Sequence, residues 1–443
     1  MSKRLRCIIL GAAGRDFHDF QVFFSDHPEF EVVAFTAAQI PFIEKRSFPK
    51  ELAGPLYSSD VPIYLESELP ALIKRLAIDL VFLAYSDLAH AEVMHKLSLA
   101  QACGAGFAVL GPHLTQLRSR LPVVSVTGVR TGVGKSPLSQ ALARHLNRRG
   151  RRVAVIRHPM PYGNLLEQRV MRFASDADLD RNHCTIEERE EFEPYLESGI
   201  AVFAGVDYRA ILSQAEGEAD VALWDGGNND YPFIHPDFSI VVADALRPGH
   251  EIAYFPGETN LRSADVVVIN KVSGATPDSL ASIRNHISEL NPKATIVESD
   301  LVVSLEPDIP ITAKRVIVVE DGPTLTHGGM AYGAGTVAAR EAGAEILDPR
   351  SFATGTIAAA YLAYPHIGAV LPALGYSDEQ RAELAATIAR GGADVIIDAS
   401  PARLDRVLDL RNLVTVRARY GFEQRSGPSI FALVEDALAK AAK

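Results

Sequence analysis

Residues 123–136 read VVSVTGVRTGVGKS, a β-compatible run that enters a glycine-rich loop and closes on Lys135 and Ser136. Val123, Val124, Ser125 and Val126 lead into glycines at 128, 132 and 134, and a helix pattern, PLSQALARHLNRRG, follows directly. In a strand–loop–helix unit of this kind the glycines let backbone N–H groups approach and surround phosphates. The helix N-terminus adds partial positive charge. Lys135 is expected to reach the β/γ-phosphates of a nucleotide, and the Ser136 hydroxyl to hold Mg²⁺. Gly128, Thr131, Gly132, Val133 and Gly134 complete the expected nucleotide-binding loop.

The spacing is a variant of the common G-x-x-x-x-G-K-[ST] pattern, because five residues rather than four separate Gly128 from Gly134. It resembles the loops of the dethiobiotin synthetase and cobyrinate amidase branch of P-loop proteins, which are mostly ATP-dependent ligases and synthetases. The related partition ATPases carry an extra lysine early in the loop, and Arg130 stands at about that place here.

Outward from the loop, strand and helix signals alternate in both directions, which predicts an α/β protein with parallel sheets. Residues 1–120 read as a Rossmann-like domain, with RCIILG, FEVVAFTAA, DLVFLAYS and FAVLG as strands. Gly11 and Gly14 form a GxxG turn after the first of these. The third glycine and a ribose-binding acid are missing, so a Rossmann-like topology without a dinucleotide is expected. Residues 121–312 read as the central P-loop domain, whose runs RRVAVIRH, GIAVFAGV, ADVALWDGG, FSIVVADA, ADVVVINKV and ATIVESD suit central parallel strands. Residues 313–443 read as a C-terminal α/β domain built on RVIVVEDGP, AGAEILDPR, IGAVLPALG and ADVIIDASP. The acidic run IEEREEFE at 186–193 is expected to be a solvated helix.

Composition narrows the class. A chain of 443 residues with 47% hydrophobic and 22% charged residues is that of a multi-domain globular protein. No apolar run approaches the ~18 residues of a membrane span, and three scattered cysteines make no disulfide framework or zinc site. The cytoplasm is the expected compartment, with no membrane partner. A net charge of −11 argues against nucleic acid as a partner. It leaves room for a small anionic ligand, because a few converging arginines outweigh a distant surface field.

Asp225 ends the apolar strand ADVALWD ahead of two glycines, the place of a Walker-B carboxylate that holds Mg²⁺ directly or through water. Asn270 and Lys271 end ADVVVINK, where nucleotide-binding folds carry an N-K-x-D motif that reads the base. Position 273 is Ser, which cannot accept the paired hydrogen bonds of guanine's N1–H and amine, so adenine is favoured. Three further loops, RHPMPYG (157–163), RPGHEIAYFPGETNLR (247–262) and EDGPTLTHGGM (320–330), follow strand ends and carry Arg and His. Together they suggest a site for a polyanion, with Arg making bidentate phosphate contacts.

These loops, with IEEREEFEPYL, AGVDYRAIL and WDGGNNDYPF, resemble cyclic 2,3-diphosphoglycerate synthetase and its bacterial relatives across nearly the whole chain. The resemblance implies an ATP-dependent ligase that closes an intramolecular phosphoanhydride in 2,3-diphosphoglycerate or acts on a related small phosphorylated acid. Its candidate cofactors are ATP, Mg²⁺ and a monovalent cation such as K⁺. Carried onto this chain, Lys135 and Ser136 hold the ATP phosphates and Mg²⁺, and Asp225 completes the metal site. Arg130, Arg157, Arg247 and His250 bind phosphate and neutralise charge. Glu258 is a second metal ligand or positions the nucleophile, and His158, Tyr162, Asn228, Asn260 and His327 face the substrate. A homodimer is expected. The alternative is a P-loop GTPase or ATPase switch, or a metallochaperone; the absent base-reading acid and the lack of a Cys/His cluster weigh against it.

Overall fold

The computed structural model describes residues 4–12, 14–37, 46–158, 163–227, 230–326, 329–374, 377–400, 404–410 and 413–441. The protein is α/β, as the alternating pattern predicts, and nearly every apolar run named above becomes a strand.

Six strands of the N-terminal region form one sheet, in the order 47–48, 61–65, 30–37, 5–10, 80–83 and 106–109. All neighbours are parallel except the first pair. Phe17, Phe20, Phe24, Phe35 and Phe82 pack one of its cores, and Leu10, Leu69, Leu72 and Val81 another. The turn after Leu10 is closed by its own carboxylate: Asp16 Oδ1 accepts the N–H groups of Gly14 at 3.0 Å and Phe17 at 2.7 Å. These two amides of the turn are therefore already taken by a carboxylate of the chain. A Cβ on Gly14 would also stand 1.8 Å from His158 Nε2, so the turn is filled from both sides.

Among the described residues the second sheet has thirteen strands. The phosphate-loop strand Val123–Gly128 lies between Val221–Asp225 and Phe238–Asp244, parallel to both and fully buried. Burial on both faces is why this strand is a continuous apolar run rather than an alternating one. The helix after the loop, Lys135–Arg148, turns Leu138, Leu142 and Leu146 inward, each at most 1% exposed. That i, i+4, i+8 spacing makes one stripe, and each burial contributes about 1.5–3 kcal/mol relative to exposure.

Past Val266–Asn270 the same sheet continues through Thr295–Glu306, which pairs antiparallel with Val414–Ser426. Val414–Ser426 then pairs parallel with Val395–Ala399, and the sheet runs on through Arg315–Asp321. The strands of the central and C-terminal regions thus share one sheet. Val414–Ser426 was not among the expected strands. It alternates apolar Val416, Ala418, Tyr420 and Phe422 with charged Arg417, Arg419 and Glu423, unlike the solid runs of its parallel neighbours.

The acidic segment is a helix, Ile186–Leu196, and several of its described side chains turn inward rather than out to water. Phe192, Glu193 and Tyr195 are each 1% exposed, and Glu191 pairs with Arg157. Among the described residues no helix is long and apolar enough to cross a membrane.

Candidate active site

Three consecutive carbonyls of the phosphate loop are held from the ends of neighbouring strands. Arg247 Nη2 donates to the carbonyl of Thr131 at 2.9 Å, Lys271 Nζ to that of Gly132 at 2.7 Å, and Asn270 Nδ2 to that of Val133 at 2.8 Å. In a trans peptide the following N–H points opposite to its carbonyl. Anchoring these three carbonyls therefore aims the amides of Gly132, Val133 and Gly134 the other way, as a phosphate cradle requires. Gly132 (φ +79°) and Gly134 (φ +98°) take left-handed conformations, and a Cβ on Gly134 would stand 2.2 Å from Asn270 Nδ2.

The anchors are themselves held. Asp244, 2% exposed, accepts from Lys271 Nζ at 2.7 Å and Arg247 Nε at 2.8 Å. Asn270 Oδ1 accepts from Ser299 Oγ at 3.0 Å. Burial lowers the Lys271 pKa, and Asp244 opposes that shift. The two residues expected to read a base thus also brace the loop. Ser273 donates its N–H to Asp300 at 2.9 Å and its hydroxyl to the same carboxylate, which also takes Arg425 Nε at 2.7 Å.

Beneath the loop lies a buried network around Asp225, which is fully buried. Its Oδ1 accepts from Ser139 Oγ at 2.9 Å, and its Oδ2 from Tyr195 OH at 2.6 Å and from Arg157 Nη1. Arg157 also gives Nη2 to Glu191 at 2.7 Å. Burial disfavours the Arg157 cation, but the Asp225 and Glu191 carboxylates outweigh it and raise its pKa. Burial raises the Glu191 pKa against the pull of Arg157. Lys135 faces the same network: burial lowers its pKa while Asp225 works to raise it. An ionised carboxylate offers about four acceptor sites, and these contacts use three of them at Asp225.

The mouth of the loop is lined differently. The Arg130 guanidinium lies over the Tyr254 ring, 4.1 Å from its centroid, with Nη1 3.3 Å from His250 Nδ1. Burial, then Arg130 and Arg247, lower the His250 pKa, so the ring is neutral near pH 7. It serves Arg130 as a hydrogen-bond partner, not as a second cation. Glu258 accepts from Arg262 at 2.6 Å and stands 3.7 Å from His90 Nδ1, on the N-terminal region. Gly257 seats its helix on the loop, since a Cβ there would meet the Val129 carbonyl oxygen at 2.1 Å. Asn260 is 3% exposed, with Nδ2 buried and unbonded.

The structure therefore brings Lys135, Arg130, Arg247, His250, Asn270 and Lys271 together at the loop. It sets Arg157 and Asp225 beneath it, and His158 apart, 3.7 Å from Asp230. Tyr162, Asn228 and His327 lie outside the described residues. Among the described residues no three His, Cys, Asp or Glu side chains are grouped to hold a metal ion. One contributor had no signal in the sequence. Asp87, in the loop after the N-terminal strand Leu80–Leu83, accepts the Thr131 hydroxyl at 2.8 Å and its N–H at 3.4 Å. It follows an unremarkable apolar strand, and only the tertiary fold carries it to the phosphate loop.

Over 435 residues the chain is 54% identical to the arginine synthetase ArcE of Thermococcus kodakarensis, covering 98% of this chain and 97% of that protein. It is 30% identical over 197 residues to a tetraacyldisaccharide 4'-kinase from an Anaeromyxobacter species, 41% of this chain and 51% of the kinase. Among solved structures, LpxK from Aquifex aeolicus in complex with ATP aligns with a TM-score of 0.44 at 12% identity, covering 84% of this chain and 99% of that one. No family model matches the chain.

Proposed function

We propose that this chain, which belongs to the family of the arginine synthetase ArcE, is an ATP-dependent synthetase that forms arginine. The 54% identity along 98% of the chain carries the reading, and the braced phosphate loop, with its aimed amides, supports it.

The chemistry follows from the product. A guanidinium carbon bears three nitrogens, and the nearest oxygen-bearing precursor is a ureido carbon with two nitrogens and one oxygen, that of citrulline. The ureido oxygen takes the γ-phosphoryl group of ATP: its new O–P bond forms as the bond to the β-phosphate oxygen breaks, and ADP leaves. Ammonia then adds to the carbon and loses a proton, the C–O bond breaks, and phosphate departs with the electron pair. Catalysis of phosphoryl transfer is largely positioning and charge neutralisation. Lys135 and the amides of Gly132, Val133 and Gly134 would hold the β/γ-phosphates. Arg130, which has no carboxylate partner among the described residues, would neutralise the group in transit. The site fits Mg²⁺, an ion that takes one or two protein oxygens plus phosphates and water. Ser136 would be its ligand and the remaining acceptor site of Asp225 would meet its water shell, adding charge stabilisation on the phosphates.

Cyclisation of 2,3-diphosphoglycerate is the second reading, favoured by the cations Lys135, Arg130, Arg247 and Lys271 gathered at the loop. Against it, two arginines expected to neutralise a polyanion are already paired, Arg157 with Asp225 and Glu191 and Arg247 with Asp244. A zwitterionic amino acid asks for less positive charge.

The test supplies purified protein with ATP and Mg²⁺ and offers citrulline plus ammonium in one reaction and 2,3-diphosphoglycerate in another. Arginine formed in step with ADP supports the proposal. A new phosphoanhydride signal in ³¹P NMR, with ADP but no arginine, overturns it in favour of the second reading.

A further inference from the structure

Arg15, at the start of the helix Arg15–Val22, is buried to 2% exposure where the N-terminal sheet meets the phosphate-loop sheet. A guanidinium has five N–H donors, and burying an incompletely paired one costs several kcal/mol. Here Nη1 donates to Asp230 Oδ1 at a long 3.4 Å, while Nε stands 3.7 Å from Asp19 Oδ2, beyond hydrogen-bond reach. Nε and Nη2 are both buried without a hydrogen bond. These two nitrogens form one edge of the guanidinium, the parallel pair of donors that a carboxylate or phosphate accepts bidentately. The group lies over the Tyr231 ring, 3.7 Å from its centroid, which fixes its plane.

The surroundings connect this edge to the phosphate loop. Asp230 takes a side-chain hydrogen bond from Ser86, and the next residue, Asp87, holds Thr131. Ser86 and Asp87 are adjacent in the chain, with Cα atoms about 3.8 Å apart, so one short loop touches both the Arg15 cluster and the phosphate loop. Asp19, whose Oδ1 is also buried and unbonded, lies beside the edge.

We propose that the Nε/Nη2 edge of Arg15 receives the carboxylate of the acceptor amino acid, with Asp19 and Asp230 facing its ammonium group, so that the other end of the molecule meets the γ-phosphate. This assignment rests on the arginine-forming reading. The edge is sealed from solvent in this structure, so a carboxylate held there is held away from water. Enclosure in a dry pocket strengthens the charge-assisted bonds it makes.

The experiment compares binding of arginine with binding of its α-carboxamide, by calorimetry, to the wild-type protein, Arg15→Gln and Arg15→Lys. The wild type is expected to prefer the acid by about 100-fold, the scale of a charge-assisted hydrogen bond lost at a buried donor. Arg15→Lys keeps the charge and loses the planar edge, so it should fold, bind ATP as before, and lose most of that preference. Either variant keeping the preference while folded, or a wild type without one, overturns the proposal. The same measurement with 2,3-diphosphoglycerate separates the two ideas. Arginine production unchanged in Arg15→Lys sinks the site alone, whereas no arginine production together with Arg15-dependent binding of diphosphoglycerate sinks the arginine reading alone.

Discussion

Asp87 grips Thr131 twice, accepting its hydroxyl at 2.8 Å and its N–H at 3.4 Å, so a carboxylate of the N-terminal region closes on the phosphate loop of the other sheet. Asp87 does so from a left-handed conformation (φ +59°), one that Asp tolerates better than most residues. Asp87→Gly removes the tie without touching either core and keeps the left-handed backbone available. The expected outcome is a 10- to 100-fold fall in kcat, on the scale of misplaced reacting groups, with the melting temperature little changed; steady-state kinetics and calorimetry together check it.

Lys135→Ala should abolish turnover while the protein stays folded. The lysine stands among the charges of Asp225, Arg157 and Glu191, and removing one preorganised donor from a transferring phosphoryl group costs about 10²–10³ in rate. Unchanged activity in a variant with native circular dichroism would refute the nucleotide site.

Lys271→Met separates loop bracing from base recognition. Losing the ammonium leaves the Gly132 carbonyl and one bond to Asp244 unmade, a cost of about 1–3 kcal/mol. ATP and GTP should both bind more weakly by a similar factor. A change in the preference between the two would instead assign Lys271 to the base.

Burial raises the pKa of Asp19 and of Asp230 to about 7, against an ordinary 3.8. A carboxyl that holds its proton more tightly folded than unfolded contributes stability that is full below about pH 4 and is lost as pH rises through about 7. His18, lowered to about 3 by burial, acts with the opposite sign: its contribution falls as pH drops from about 6.5 toward 3. Asp19→Asn cannot lose a proton in this window. Its unfolding free energy relative to wild type should therefore improve between pH 5 and pH 8, measured by urea titration; a gap constant with pH would contradict it.

The phosphate loop was legible because its chemistry is local: Gly134 must be glycine, and Lys135 and Ser136 must follow it. The buried parallel strands were legible as solid apolar runs. Val414–Ser426 escaped because it alternates apolar with charged residues instead of forming a solid run. The partners of Asn270, Lys271 and Arg247 escaped for another reason. Each side chain stands at a strand end suited to a ligand, and only tertiary distance shows that it meets a loop carbonyl more than a hundred residues away. Arg15 and Asp87 belong to the same class, with motifs around them that point elsewhere.

The helix Ile430–Ala441 places Ile430, Val434 and Leu438 in the same apolar core as Leu138, Leu142 and Leu146 of the phosphate-loop helix. His145 meets Glu435 at 2.6 Å across 290 residues of chain. During synthesis on the ribosome, the phosphate-loop helix therefore emerges 290 residues ahead of this last partner. Strands Val153–Arg157 and Val221–Asp225 can cover its inner stripe early, but Ile430, Val434 and Leu438 join the same core only once the 430s have been translated. Until then that part of the core lies open on the nascent chain, a face for chaperones that shelter apolar surface.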